Sequence, residues 1–181
     1  MNPQHEAVIS TDGGLTPDAA LAWWMLERMG QKKISLLVES VDDWALGGLP
    51  IAKEPTTVGA PKSAQDMAVP AVTYRPGAVA AKAGSPFPTV YVAAGKQAPA
   101  GAPVGSERGA KVVHLPYTDL LDSNGLPKAA KDLWKVIDKA GVPRYAKVVA
   151  FSDQVGEAAA GVFVLRLMGF SDVKVWMPAG S

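Results

Sequence analysis

Short apolar runs alternate along the chain with longer segments of helical periodicity. Residues 6–52 contain the runs "EAVIS" and "ISLLVE", each followed by a helical segment, "AALAWWMLERMG" and "SVDDWALGG". Strands that are apolar along their whole length, and that alternate with helices, are typical of a parallel sheet covered on both faces. The pattern therefore predicts an α/β fold.

The first helix has strong start and stop signals. Thr16 can cap it, Pro17 suits the first helical position, and Asp18 suits the positive end of the helix dipole. Gly30 follows the last periodic residue and indicates the end of the helix.

The pattern starts again in the second half of the chain. Residues 87–181 contain the predicted strands "TVYVAA", "AKVVHLPY", "KVVAF" and "DVKVWM", with helices in "PKAAKDLWKVIDKAG" and "EAAAGVFVLRLMG". Between the halves, residues 53–86 are rich in Pro, Gly, Ala and Ser without a sustained period, which predicts a linker or a wrapping segment. An edge strand over residues 69–74 is the alternative.

Composition excludes several classes of function. The 181 residues contain no cysteine and two histidines, so a disulfide, a thiolate metal site and a cysteine nucleophile are excluded within them. A net charge of +1 favours neither nucleic acid nor an anionic membrane as a partner. No apolar run approaches ~18 residues, and no signal peptide is visible, so neither a membrane span nor a compartment is predicted.

Two segments of the chain match each other. "AVISTDGGLTPDAALAWWMLERMGQKKISLLV" aligns with "KVVAFSDQVGEAAAGVFVLRLMGFSDVKVWM". At a spacing of 139 residues, Gly30 aligns with Gly169 and Ile34 with Val173, and the first loop is expected to be one residue longer. The shared order of strand, acidic loop, Ala-rich helix and strand favours an internal duplication over chance similarity.

The second copy and the segment before it resemble the rhodanese (thiosulfate sulfurtransferase) domain. The resemblance rests on "HLPYTDLL", on "AGV" before the strand, and on the Ala-rich helix ending in "LMGF". It extends over about residues 87–178. Residues 1–52, which contain "WALGGLP" at positions 44–50, resemble the C-terminal half of a preceding domain of the same family. The resemblance implies a rhodanese-like parallel sheet flanked by helices on both faces. It divides the chain into a half-domain (1–52), a linker (53–86) and a domain (87–181).

The resemblance also implies a mechanism, from which this chain departs. In the family a cysteine after the strand takes sulfur as a persulfide, while loop N–H groups and an arginine hold the anionic donor. Here Ser152 stands at the cysteine position and Glu157 at the arginine position. In the first copy Asp12 falls near the cysteine position and Asp18 at the arginine position. An aspartate that the family has near the end of its first strand is absent from "TVYVAAG".

We interpret the loop 152–157 as a degenerate active loop that could still bind a partner. A serine cannot carry a persulfide, and its hydroxyl is a weak nucleophile without an adjacent base. Asp153 and Glu157 repel anions, although they could also stabilise a helix start or receive a cationic partner. A weak divalent-cation site at Asp12 and Asp18 is a further alternative, but the loop lacks the regular oxygen spacing of a calcium site. The candidate binding residues are Ser152, Asp153, Gln154, Val155, Gly156 and Glu157, with no catalytic residue, metal or cofactor predicted.

Adjacent tryptophans predict a surface that another element must cover. Trp23 and Trp24 point to different sides of one helix, so we expect one in the core and the other at an interface. A half-domain over residues 1–52 would also expose an unpaired strand edge. We therefore expect a protein partner or self-association through the N-terminal half, unless it packs against the second domain.

Two functions from different classes remain. The first is a catalytically silent rhodanese-like protein that acts as a binding or scaffolding subunit. The alternative is one part of a thiosulfate sulfurtransferase system whose active cysteine lies on another segment or a partner chain. Hydrolase-like chemistry at Ser152 is a third, weaker hypothesis, because no histidine lies in the loop.

Overall fold

Two parallel sheets and four α-helices form the part of the chain that the computed structural model describes, residues 6–52, 54, 87–97 and 111–176. In the first half the elements are β1 (Glu6–Ser10), α1 (Pro17–Arg28), β2 (Lys33–Leu37) and α2 (Val41–Leu46). In the second half they are β3 (Thr89–Ala93), β4 (Lys111–His114), a short 3-10 helix (Tyr117–Leu120), α3 (Ala130–Ala140), β5 (Lys147–Phe151), α4 (Val155–Leu167) and β6 (Val173–Val175).

The larger sheet has the strand order β4-β3-β5-β6, and all of its neighbours run parallel. Strands β1 and β2 form a separate parallel pair. Helices flank the sheet, so the predicted α/β class is confirmed. The proposed linker over residues 53–86 and the alternative strand over 69–74 fall outside the described residues, apart from residue 54.

Local sequence signals explain where the helices begin and end. Thr16 is the N-cap of α1, and its side chain accepts a hydrogen bond from the backbone N–H of Ala19 at 3.2 Å. Pro17 occupies the first turn, where its missing N–H costs nothing. Gly30, just beyond the helix, has a φ of 90° that an L side chain would strain to adopt. The predicted start and stop of α1 are therefore confirmed.

Helix α1 packs side by side with α4, and the two run in the same direction. The Trp23 ring meets Phe163 edge-on, with 5.1 Å between ring centroids. Glu27, one turn further along α1, pairs with Arg166, one turn further along α4. Glu27 and Arg166 are 139 residues apart, which is the spacing that relates the two sequence copies. Equivalent positions of the two helices therefore touch each other.

Both tryptophans of α1 are buried, which corrects the expectation that one of them lies at an interface. Trp23 is 9% exposed and Trp24 is 6% exposed. Both belong to the same core cluster as the buried residues of α4 and of the larger sheet. For Trp23 the physical reason is that α4 packs against it through Phe163 and Arg166. The N-terminal half shares its core with the rest of the chain.

Within the part of the chain that the structure describes, no helix has the length and apolar character needed to cross a bilayer.

Candidate functional site

Ser152 lies directly after β5, at the point where the chain turns into α4. Its Oγ donates a hydrogen bond to Oε2 of Glu157 at 2.6 Å. The same oxygen accepts a hydrogen bond from the backbone N–H of Gln154 at 3.2 Å. The loop is short, because α4 begins at Val155, and this brings the first turn of the helix back over the serine. The hydroxyl is therefore occupied both as a donor and as an acceptor.

Glu157 is a buried carboxyl group in the first turn of α4. It is 8% exposed, and its backbone N–H donates to the carbonyl of Gln154 at 3.0 Å. An acidic side chain in this position interacts favourably with the positive end of the helix dipole. The Ser152 hydroxyl supplies a second favourable interaction, because a buried carboxyl group needs a hydrogen-bond donor. The contact between Ser152 and Glu157 thus gives Glu157 a structural role at the helix start.

Gly95 forms the wall against which this pair lies. It follows β3, whose end is fixed to the neighbouring strand by a hydrogen bond from the Ala94 N–H to the Phe151 carbonyl at 2.9 Å. A Cβ atom at position 95 would lie 2.8 Å from Ser152 Oγ and 3.1 Å from Glu157 Oε2. A side chain at position 95 would therefore have to displace this polar pair.

His114 contributes a contact to the backbone of this wall. Its Nε2 lies 3.0 Å from the carbonyl oxygen of Gly95. The imidazole thus bonds to the loop after β3. The sequence reasoning placed His114 on a strand and missed this contact and the role of Gly95. The glycine in "VAAG" directly after a buried strand is the signal that could have indicated a close approach.

The predicted binding loop is only partly accessible. Asp153 and Gln154 are exposed, and Ser152 and Val155 are half-buried. Gly156 is buried, and a Cβ atom there would lie 2.7 Å from the backbone oxygen of Pro17. The start of α1 therefore covers the start of α4 at that point, and the exposed surface of the loop is limited to its tip.

The first copy's loop has a different arrangement. The Thr11 hydroxyl donates to the Leu37 carbonyl at 3.1 Å, and the Leu15 N–H donates to the Gly125 carbonyl at 2.8 Å. Asp12 and Asp18 are both exposed. Around the two aspartates the described residues bring no third acidic or histidine side chain together as a metal-binding group.

The strand registers also revise the alignment of the two loops. Ala7 pairs with Ile34 in the first copy, and Val148 pairs with Val173 in the second. Because Ile34 aligns with Val173, Ala7 aligns with Val148, and the first loop is two residues longer rather than one. Thr11 then takes the position equivalent to Ser152, and Asp12 the position equivalent to Asp153. Each strand is thus followed by a hydroxyl residue and an aspartate.

Among the described residues, no ion pair involves Asp153 or Glu157. The ion pairs found there join Lys135 to Asp132, Arg166 to Glu27, and Lys174 to Asp172. The candidate site thus presents a hydroxyl held by a carboxyl group, with Asp153 exposed beside it. This arrangement favours a cationic or neutral partner over an anionic one.

Neither a protein-family model nor a curated protein matches the sequence. Solved structures do match it. One is SseA from Escherichia coli, whose structure is described as showing the "Rhodanese" fold and catalytic mechanism of 3-mercaptopyruvate sulfotransferases. It is 19% identical to this chain, with a TM-score of 0.63, and the match covers 100% of this chain and 69% of SseA. The 3-mercaptopyruvate sulfurtransferase from Leishmania major is 16% identical with a TM-score of 0.61, over 96% of this chain and 49% of that one.

A variant of EanB in complex with ergothioneine is a further match, at 12% identity and a TM-score of 0.62, over 97% of this chain and 48% of EanB. The chain thus spans about half the length of EanB and of the Leishmania enzyme. These likenesses establish that the chain has the rhodanese fold.

Proposed function

We propose that this chain is a catalytically silent rhodanese-fold protein that acts as a binding or scaffolding subunit. The observation on which the proposal depends is the hydrogen bond between Ser152 and Glu157, in the loop where the family resemblance puts a cysteine and an arginine. The fold is one that sulfurtransferases use. The loop retains its place in that fold but lacks the groups that the reaction needs.

The first missing group is the thiol. Sulfur transfer through a persulfide requires a thiolate that attacks the donor, and the 181 residues contain no cysteine. Ser152 does not replace it, because an oxygen nucleophile does not form a persulfide. Its hydroxyl donates to Glu157, and no imidazole lies in the loop.

The second missing group is a cation for the sulfur donor. Thiosulfate and mercaptopyruvate are anions, and Glu157 places a carboxyl group at the helix start that would otherwise attract them. A like-charge contact at ~4 Å costs a few kcal/mol in partly screened surroundings, whereas a helix end contributes about 0.3–1 kcal/mol. Repulsion therefore exceeds attraction, and an anionic donor is disfavoured.

The partner-binding role draws support from the N-terminal half. Strand β1 pairs only with β2 among the described residues, and Val8 on β1 is 61% exposed. At the equivalent position in the second sheet, Val149 is 2% exposed. We propose residues 1–52 as a half-domain, 53–86 as a linker and 87–181 as a full domain. The open side of the half-domain would then be available to a protein partner or to a second copy.

The same observation favours a second candidate function. A chain that completes the N-terminal half could also bring an active cysteine, in which case this protein would be part of a thiosulfate sulfurtransferase system. The two functions differ in whether this chain changes the rate at which a cysteine-bearing partner transfers sulfur.

A sulfur-transfer assay tests the main proposal. We expect the purified chain to produce no thiocyanate from cyanide above the uncatalysed background, with either thiosulfate or 3-mercaptopyruvate as the donor. Ser152→Ala serves as the matched control and should give the same background. Transfer by the wild-type chain that disappears in Ser152→Ala would overturn the proposal, since it would assign chemistry to the hydroxyl.

A further inference from the structure

A concave surface lies at the amino ends of the parallel strands, away from Ser152. Its volume is about 460 Å³, and it lies where the chain enters β3, β5 and β6. Strand β5 spans five residues between this end and the loop, which separates the two by roughly 17 Å at ~3.3 Å per residue. We name it the amino-end groove, and define it by Phe87, Trp134, Arg144, Tyr145, Lys147 and Ser171.

Aromatic rings form the apolar part of the amino-end groove. Phe87 and Tyr145 form a tilted ring pair, with 6.1 Å between ring centroids and 37° between ring planes, and are 48% and 75% exposed. The Trp134 ring packs against the buried Phe170, with 5.7 Å between ring centroids, and forms one side of the groove. Tyr145 keeps most of its surface in water, so the core does not account for this grouping. A flat apolar ligand would cover the surface that these two side chains leave exposed.

Two cations, Arg144 and Lys147, line the same groove. The Arg144 guanidinium lies over the Trp134 ring at 4.5 Å from its centroid, an arrangement that holds the side chain in place. Lys147 lies at the start of β5, and neither cation takes part in any ion pair among the described residues. Asp172 also lines the groove, and its carboxylate forms an ion pair with Lys174 at 3.4 Å. With two cations and one carboxylate, the lining of the groove carries a net positive charge.

We propose that the amino-end groove binds an aromatic carboxylate. The ring of the ligand covers Phe87 and Tyr145, and its carboxylate binds Arg144 and Lys147. A volume of 460 Å³ is within the range of small-molecule sites and suits a ligand of one or two rings. A free aromatic acid and the C-terminal aromatic residue of a peptide present the same chemistry. The inference does not depend on the state of the loop at Ser152.

Calorimetric titration with paired probes tests the ligand class. We expect phenylacetate, or a short peptide that ends in phenylalanine with a free carboxylate, to bind with a dissociation constant on the order of 1 mM or lower. The uncharged partners, phenylacetamide and the amidated peptide, should bind at least about tenfold more weakly, because charge-assisted hydrogen bonds are lost. Binding of the acid alone, of the peptide alone or of both supports the proposal and identifies the source. Absence of binding by both, or equal binding of the uncharged probes, overturns it.

Substitutions at the groove test the location. Arg144→Gln and Tyr145→Ala should each weaken binding about tenfold, by removing a charged donor and an aromatic surface respectively. Lys131→Gln is the matched control: it removes the same charge from an exposed position on α3 outside the groove, and should bind like the wild type. Both groove residues are exposed, so the variants should keep the melting temperature of the wild type. Wild-type affinity in Arg144→Gln, with the fold intact, would refute the assignment.

Discussion

Removal of the Trp23 side chain tests whether the N-terminal half is part of one cooperative structure. Trp23 is 9% exposed, meets Phe163 edge-on at 5.1 Å, and lies under the Arg166 guanidinium at 5.2 Å. Truncation of a buried tryptophan to alanine costs about 3–5 kcal/mol, since the apolar contacts are lost and a cavity is left. For a chain of this length, each kcal/mol corresponds to about 2–4 °C in melting temperature. Trp23→Ala should therefore lower the midpoint by roughly 6–20 °C.

The assay is urea and thermal unfolding followed by circular dichroism, with Met25→Ala as the control. Met25 lies on the same helix but is 50% exposed, so its truncation should cost less than about 1 kcal/mol. A double-mutant cycle with Phe163→Ala isolates the contact between the two helices. We expect a coupling free energy of about 0.5–1.5 kcal/mol, the value typical of edge-to-face aromatic pairs.

Two results would refute this reasoning. A loss below about 1 kcal/mol for Trp23→Ala would mean that α1 does not depend on the packing that buries its tryptophan. A coupling free energy near zero, together with a separate early transition for the N-terminal half, would mean that α1 and α4 unfold independently.

Three further predictions concern individual contacts. Gly156→Ala should lower the free energy of unfolding, because its Cβ would lie 2.7 Å from the Pro17 oxygen; the clash should cost about 1–3 kcal/mol, and the gain in helix propensity should offset ~1 kcal/mol of this. The control is Gly161→Ala, whose Cβ would meet only the Ala94 methyl at 3.2 Å and should cost less in the same urea titration. Equal losses in the two variants would contradict the close approach. Gly95→Ala should lower the free energy of unfolding by about 1–3 kcal/mol, because its Cβ would clash with Ser152 Oγ. In the double variant, Ser152→Ala should restore part of this loss, whereas additive losses would argue against the clash. The hydrogen bond and the charge of Lys135 hold the pKa of the Asp132 carboxyl below its usual value, so Lys135→Gln should raise that pKa in an NMR titration, and an unchanged pKa would contradict the assigned cause. Any stability from this depressed pKa is present above the unfolded-state pKa and is lost as the pH falls through the folded-state pKa.

Periodicity and capping residues were enough to predict most of the elements. Thr16, Pro17 and Gly30 each have a local role that depends only on nearby backbone, so the sequence indicates α1 with nearly correct bounds. The parallel sheet follows for a similar reason, because strands buried on both faces must be apolar along their length. Such features need no knowledge of distant residues.

Contacts between distant residues could not be predicted in the same way. Burial of Trp23 depends on α4, which follows more than a hundred residues later in the chain. The contact from Ser152 to Glu157 depends on how tightly the loop turns, and loop geometry is weakly encoded in residue type. The amino-end groove was missed because Phe87 and Arg144 come together only when β3 and β5 pair.

Persulfide formation on a restored loop tests the central claim most directly. Ser152→Cys supplies the missing thiol, and Glu157→Arg replaces the carboxyl group by the missing cation. The account predicts that Ser152→Cys/Glu157→Arg, incubated with thiosulfate, gains the mass of one sulfur atom and transfers it to cyanide. Ser152→Cys alone should gain much less, because Glu157 still repels the donor. If the double variant folds with the wild-type melting temperature yet gains no sulfur, or if Ser152→Cys alone reacts equally well, the loop is not a disabled rhodanese site and the account is contradicted.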